Sequence, residues 1–367
     1  MIVAVIDPGN VVNQDKTEGL FSGVRGGMQF LSNQNLFAWL DGLKTDFEVY
    51  VPLKKGPFRF YEQYVAPSPD IVIGEVRATE PLKGFFTPVK EKVAELFNPE
   101  PLKKKQKPMA IVGVKACDLK GFLIQDHVFC NGCQDPFYNR ARENNLIISA
   151  DCTQAIDTCF CLALDVNPYP ESHFDINLSE VSGGFIVEVG SPKGQQVVDS
   201  HKVLFQELQP TQVEKREEGR KQVVAEVERN IAKHGVPHQA EYQGMIERSY
   251  ESKIWEDEAK TCTECGACTT ICPTCHCFTL ADQKEGDQFV RYRQWDSCML
   301  KDYARVAGGG NPRPQLWMRL RNRFEKKFDF FPQVADLNAC TGCGRCITAC
   351  PANIDIRRVL KRLVHNE

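Results

Sequence analysis

CTECGACTTICP (Cys262–Pro273) and CTGCGRCITACP (Cys340–Pro351) repeat one spacing to the residue, C-x2-C-x2-C-x3-C-P. Three thiolates two residues apart can wrap a loop around a [4Fe–4S] cube. Gly266, Gly342 and Gly344 let the backbone approach the inorganic sulfides and donate N–H groups to them. The fourth cysteine points away from its own loop, and the proline after it is expected to open a helix. In this arrangement the fourth cysteine serves the other cube. Cys262, Cys265, Cys268 and Cys350 are therefore assigned to one cluster, and Cys340, Cys343, Cys346 and Cys272 to a second. Paired zinc sites would need four ligands each, and the repeated three-plus-one spacing with proline argues against them.

Working outward, the chain holds 17 cysteines in 367 residues, and most stand in tight spacings. A secreted disulfide scaffold would be short and loop-rich, so metal or redox chemistry in a reducing compartment is expected. Cys117 follows the apolar run MAIVGV, Cys152 follows LIISA, and Cys159 and Cys161 stand in CFC. Strand ends bring distant residues together, so these four are candidates for a third [4Fe–4S] cluster. Buried inert cysteines, a zinc site and a redox disulfide are the alternatives. Cys130 and Cys133 form a CxxC at a turn that could bind metal or replace a ligand. Cys275, Cys277 and Cys298, with His276 or a distant side chain, could bind another metal or could pack near the clusters.

The spacer Pro273–Ala339 is longer than the connector of the smallest two-cluster ferredoxins, which suits a helical ferredoxin domain with an insertion. Gly308–Gly310, with Pro312 and Pro314, marks a loop inside it. Before the cysteine-rich region the sequence reads as mixed α/β. Candidate strands are Phe47–Leu53, Met109–Val114, Leu146–Ala150 and Phe185–Val189, with a helical pattern around Leu119–Phe129. The charged stretch Thr211–His234, with Val213, Val223, Val227 and Ile231 at helical spacing and Gly235 as a stop, predicts a connecting helix. The expected fold class is α+β. Residues 1–210 are expected to form a mixed α/β domain with an extra iron–sulfur site, 211–254 a helical linker, and 255–367 a mainly α-helical ferredoxin domain with two clusters.

A formal charge of −3 offers no footprint for nucleic acid, and KKKQK (103–107) reads as a solvated loop. No apolar run reaches the ~18–20 residues of a membrane span. The start, MIVAVIDPGN, lacks the basic and apolar regions of a signal peptide. A cytoplasmic location is expected. No dinucleotide fingerprint, P-loop, nucleophile elbow or zincin motif occurs, and lone histidines such as His173 and His201 read as ordinary surface or core residues. The chain is expected to relay electrons without catalysis of its own. The rival is a self-sufficient iron–sulfur reductase with a substrate site in the N-terminal domain.

The sequence resembles the β subunit of cytoplasmic sulfhydrogenases and the related A subunit of anaerobic sulfite reductases. The likeness runs from about residue 45 to the C-terminus. It rests on VKACDLKGF (Val114–Phe122), DPFYNRARENNLIISADC (Asp135–Cys152), CFC (Cys159–Cys161) and WEDEAKTCTECGACTTICPTCHC (Trp255–Cys277). RQWDSC (Arg293–Cys298), VAGGGNPRP (Val306–Pro314), RNRF (Arg321–Phe324) and CTGCGRCITACPANI (Cys340–Ile354) complete it. The ferredoxin runs alone are generic; their combination with ACD, CFC and WDSC is specific. The chain departs from the family near its start and in Cys130 and Cys133. The resemblance implies an FAD- and [2Fe–2S]-containing partner that oxidises NAD(P)H. It also implies a catalytic partner of the [NiFe]-hydrogenase or sirohaem-sulfite-reductase kind, within an anaerobic complex.

The exchanged ligation predicts that Cys272→Ala removes the signal of the cluster held by Cys340, Cys343 and Cys346 and spares that of its own run. Cys350→Ala does the reverse. Low-temperature electron paramagnetic resonance of the reduced variants, beside Cys262→Ala and Cys340→Ala, checks this. A Cys272→Ala spectrum matching that of Cys262→Ala contradicts the assignment.

Overall fold

The computed structural model describes residues 27–97, 107–131 and 134–366. The N-terminal decapeptide, all of KKKQK but Lys107, and Cys133 lie outside the described residues. The strands of the N-terminal half are β1 (Gln29–Ser32), β2 (Glu48–Lys55), β3 (Phe58–Gln63), β4 (Lys90–Glu95), β5 (Met109–Val114), β6 (Leu146–Ala150), β7 (Ile176–Val181), β8 (Gly184–Val189) and β9 (Phe205–Glu207). All but β4 join one sheet in the order β3-β2-β5-β6-β7-β8-β1-β9. Its centre, β2-β5-β6-β7, is parallel. The apolar runs MAIVGV and LIISA supply β5 and β6, which are buried almost throughout, as a doubly covered parallel sheet requires.

Alternation along those strands feeds two cores. Ala110, Val112, Leu146 and Ile148 pack with Leu36, Trp39 and Leu40 of α1 (Asn33–Leu43). Ile111, Val114 and Ile147 pack on the other face with Leu119 and Phe122 of α2 (Ala116–Cys130) and Tyr138 of α3 (Pro136–Asn144). Local chemistry starts these helices. Ser32 accepts from the Asn35 N–H at 3.2 Å, and Asp135 accepts from the N–H groups of Phe137 and Tyr138 with Pro136 in the first turn. The charged stretch forms α4 (Pro210–His234), which Gly235 ends at φ +57° in the left-handed region.

The C-terminal part contains α5 (Ile254–Ala259), α6 (Ala267–Thr270), α7 (Leu316–Glu325), α8 (Arg345–Thr348) and α9 (Ile356–His365). α6 and α8 are single turns inside the two cysteine runs. Trp255 sits edge-on to Phe324 at 5.6 Å, in a core with Leu320, Val359 and Leu360 against which cysteines of both runs pack. One expectation needs correction: Pro273 and Pro351 open turns instead of helices. The insertion expected in the spacer is a hairpin, β10 (Phe278–Glu285) and β11 (Gln288–Trp295), that pairs with β4 into a separate three-stranded sheet, so this part of the chain is a mixture of short helices and strands. The physical reason is in the sequence: FTLADQKEGDQFVRYRQW alternates at period two about the Gly286 turn, φ +59°, which favours a hairpin. Among the described residues no helix is long and apolar enough to cross a membrane.

The second cysteine run locks into the mouth of the large sheet. Phe160 N–H donates to the Gly342 carbonyl at 2.9 Å. A Cβ at Gly342 would collide with the backbone of Cys161, and one at Gly344 with the Thr158 carbonyl; both glycines also have left-handed φ, +64° and +70°. Arg345 is fully buried, donates to the Ala78 carbonyl at 3.0 Å and pairs with buried Asp118 at 2.7 Å. Arg345→Ala leaves that carboxylate without its partner and is expected to cost about 3–5 kcal/mol. Anaerobic chemical denaturation, with iron content measured alongside, reads the loss.

Candidate metal centres

Cys117 and Cys152 meet because β5 and β6 are parallel neighbours with Val114 opposite Ser149. Each cysteine lies three residues beyond its strand position, so both emerge at the carboxyl edge of the sheet, where open α/β sheets place their sites. Cys159 and Cys161 arrive from the loop pinned by Gly342. Asn230 of α4 steadies that loop by donating to the Ile156 carbonyl at 2.8 Å. The four cysteines line one void, together with Val223 and Val227 of α4 and with Cys343. Burial pushes the thiols of Cys117 and Cys161 well up, and that of Cys152 up to about 11. Thiols so placed ionise when a metal takes the charge.

A second void is lined by Cys262, Cys265, Cys268 and Cys350, together with Cys346. The structure therefore brings the first three cysteines of one run to the fourth of the other. The complementary set also gathers. Cys340 stands in the electrostatic field of Cys272 and Cys343, and Cys346 in that of Cys343, Cys340 and Cys272. Among the described residues no three His, Cys, Asp or Glu side chains converge on a point as a single ion requires. The cysteines stand around voids, an arrangement that suits a cube.

Buried cations face these voids, and reading the sequence as motifs missed them. Arg323, in the last turn of α7, lines the second void, and the helix continues through a π turn, Lys326–Phe330, with Lys326 and Lys327 one turn on from Arg323 and on its face. Lys327 Nζ stands 3.4 Å from the Cys272 sulfur and 2.8 Å from the Ala339 carbonyl. Contact with the Cys275 thiol and the Lys327 charge hold the Cys272 thiol well below its usual range. Burial works against the charge on Arg323, yet the sulfurs of Cys268 and Cys346 keep it protonated. The buried Arg323 Nε and Arg77 Nη2 find no protein acceptor among the described residues, and cluster sulfides would accept from them. The signal for this shell was present: RNRFEKKF places cations at 323, 326 and 327 among phenylalanines that must be buried.

Outside these sets, Cys130 ends α2 with its sulfur 3.1 Å from Asn139 Oδ1, and burial pushes its thiol up to about 12. It lines none of the voids described above, and its CxxC partner lies outside the described residues. Cys275, Cys277 and Cys298 gather at the base of the hairpin.

Two comparisons bear on this geometry. Residues 261–354 match the 4Fe-4S dicluster domain family. Sulfhydrogenase 2 subunit beta of Pyrococcus furiosus is 31% identical over 321 residues, covering 87% of this chain and 92% of that protein. The chain belongs to the sulfhydrogenase β-subunit family. Membership, with the dicluster domain, makes it an iron–sulfur protein of electron transfer that carries [4Fe–4S] clusters in its C-terminal domain.

The Lys327 ammonium favours any added negative charge beside Cys272. Lys327→Met is therefore expected to lower the midpoint potential of a cluster bound beside Cys272 by roughly 100–200 mV, the scale of one charge ~4–8 Å away at an effective dielectric of ~20. A redox titration followed by electron paramagnetic resonance measures it.

Proposed function

We propose that the chain is the electron-relay subunit of a cytoplasmic, anaerobic oxidoreductase complex. It would pass electrons between an FAD- and [2Fe–2S]-containing subunit that oxidises NAD(P)H and a catalytic metal subunit related to [NiFe] hydrogenase or sirohaem sulfite reductase. Cys262, Cys265, Cys268 and Cys350 hold one [4Fe–4S] cluster, and Cys340, Cys343, Cys346 and Cys272 a second. Cys117, Cys152, Cys159 and Cys161 hold a third in the domain of residues 1–210.

The observation that carries this reading is contiguity. Cys343, a ligand of the middle set, also walls the N-terminal void, and Cys346 of the same set edges the void of Cys262. Neighbouring sets are thus separated by single side chains, which is what electron hopping needs. The far end reaches solvent at the exposed Cys265, and Cys152 at the other end is only partly buried. When bound, [4Fe–4S] clusters supply one-electron transfer. The chain contributes position, exclusion of water by the apolar core around Trp255, and the cations Arg323 and Lys327 that offset thiolate charge.

Cys117→Ser, Cys152→Ser, Cys159→Ser and Cys161→Ser are each expected to lower bound iron by about four atoms and leave the ferredoxin signals intact. A folded variant with unchanged iron removes that cysteine from the set. The purified chain is expected to show no turnover with NAD(P)H, protons or sulfite until both partners are added. Sustained NAD(P)H oxidation by the chain alone, free of flavoprotein, favours the self-sufficient reductase instead.

A further inference from the structure

The β10–β11 hairpin has a consequence at its base. Cys277 is the residue before β10, and Cys298 follows β11 by three. The register sets Phe278 opposite Trp295, and the ladder continues past it through the Asp296 N–H and the Cys277 carbonyl at 2.9 Å. The insertion therefore brings together two cysteines 21 positions apart in the sequence, as the parallel strands do for Cys117 and Cys152. Cys275 completes the group from the turn after Pro273. Its carbonyl accepts from the buried Lys83 Nζ at 2.9 Å, while Gln125 Nε2 donates to the Pro273 carbonyl at 2.9 Å. These bonds fix the CPTCHC segment against the N-terminal domain.

The three cysteines line a pocket whose wall includes no cysteine of either ferredoxin set. Lys326 also lines it. Its Nζ lies 2.9 Å from the Tyr303 hydroxyl and 3.9 Å from the Cys277 sulfur. Arg323 and Lys327 lie between this void and the ferredoxin sulfurs, so the known sets account for their charge. Lys326 has no such account: the groups in its field are the Cys277 sulfur, the Tyr303 hydroxyl and the Cys298 sulfur, none of them in a ferredoxin set. A cation held there, beside a Cys298 that is only 4% exposed, asks for an anionic occupant. All three cysteines are free thiols, which speaks against a disulfide, and soft thiolate ligands suit an iron–sulfur cluster.

We propose that Cys275, Cys277 and Cys298 hold a further iron–sulfur cluster, ligated by three cysteines, at the base of the β10–β11 hairpin. It lies beside the middle cluster, because Cys275 touches the Cys272 thiol. It is a site additional to the three of the relay and is independent of which subunits flank the chain.

Iron and acid-labile sulfide in the anaerobically purified full chain, with low-temperature electron paramagnetic resonance, test this. Cys277→Ser and Cys298→Ser are each expected to lose about three to four iron atoms and one spectral component, with the ferredoxin signals and the iron lost in Cys117→Ser unchanged. Iron and spectra equal to the parent in both variants overturn the proposal, as does loss of about one zinc with no loss of iron. Where a serine variant does not fold, the unaltered protein serves. Alkylation mapped by mass spectrometry is expected to spare the partly exposed Cys275 and Cys277 while iron is bound and to modify them after chelation. Modification of Cys277 in fully iron-loaded protein overturns the site.

Discussion

Arg345 crosses from the second cysteine run to the mouth of the N-terminal sheet, where it meets Asp118 in a pair with no exposure on either side. A charge pair taken wholly out of water survives only with good geometry and further hydrogen bonds, and Arg345 supplies one to the Ala78 carbonyl. The close approach of Gly342 and Gly344 to the Thr158–Cys161 loop belongs to the same contact. Arg77 reinforces it by donating to the Cys343 carbonyl. Through this interface Cys343 can wall a void that belongs to the other domain. Without it the N-terminal cysteines and the ferredoxin cysteines would belong to separate bodies, and no continuous path would join them.

Charge compensation is the second constraint. Sixteen cysteines are described, and six of them stand within or beside the C-terminal hydrophobic core. Burial alone keeps such thiols protonated, as the raised Cys117, Cys161 and Cys346 show. Thiolate ligands need cations as well as metal, and α7 delivers them. Arg323, Lys326 and Lys327 stand at i, i+3 and i+4, so helical geometry itself turns them toward one interior as the helix runs into the π turn at Lys326–Phe330. Lys83 and Lys115 play the corresponding part from the sheet side, each held by backbone carbonyls.

The hairpin shows how an insertion acquires a role. It extends a sheet edge with β4, yet the same register fixes Cys277 and Cys298 at its open end. A helical insertion of equal length would carry its two ends about 30 Å apart, at 1.5 Å per residue.

The sequence by itself determined the two ferredoxin runs, because their ligand spacing is local and the chemistry of a cube tolerates few alternatives. It also determined β5, β6 and α4, whose apolar runs and helical period are strong short-range signals, with Gly235 as a legible stop. The short strands β1, β7 and β9 were not legible, since their order in the sheet depends on long-range pairing. Nor was the hairpin recognised, although its alternation about Gly286 was visible. The tertiary structure alone decided that Cys117, Cys152, Cys159 and Cys161 share a void, and that Gly342 is small for the sake of Cys161. It alone placed the cations of RNRFEKKF among thiols. Each of these depends on which residues far apart in the chain become neighbours, and parallel pairing and buried charge pairing set that only when the chain closes on itself.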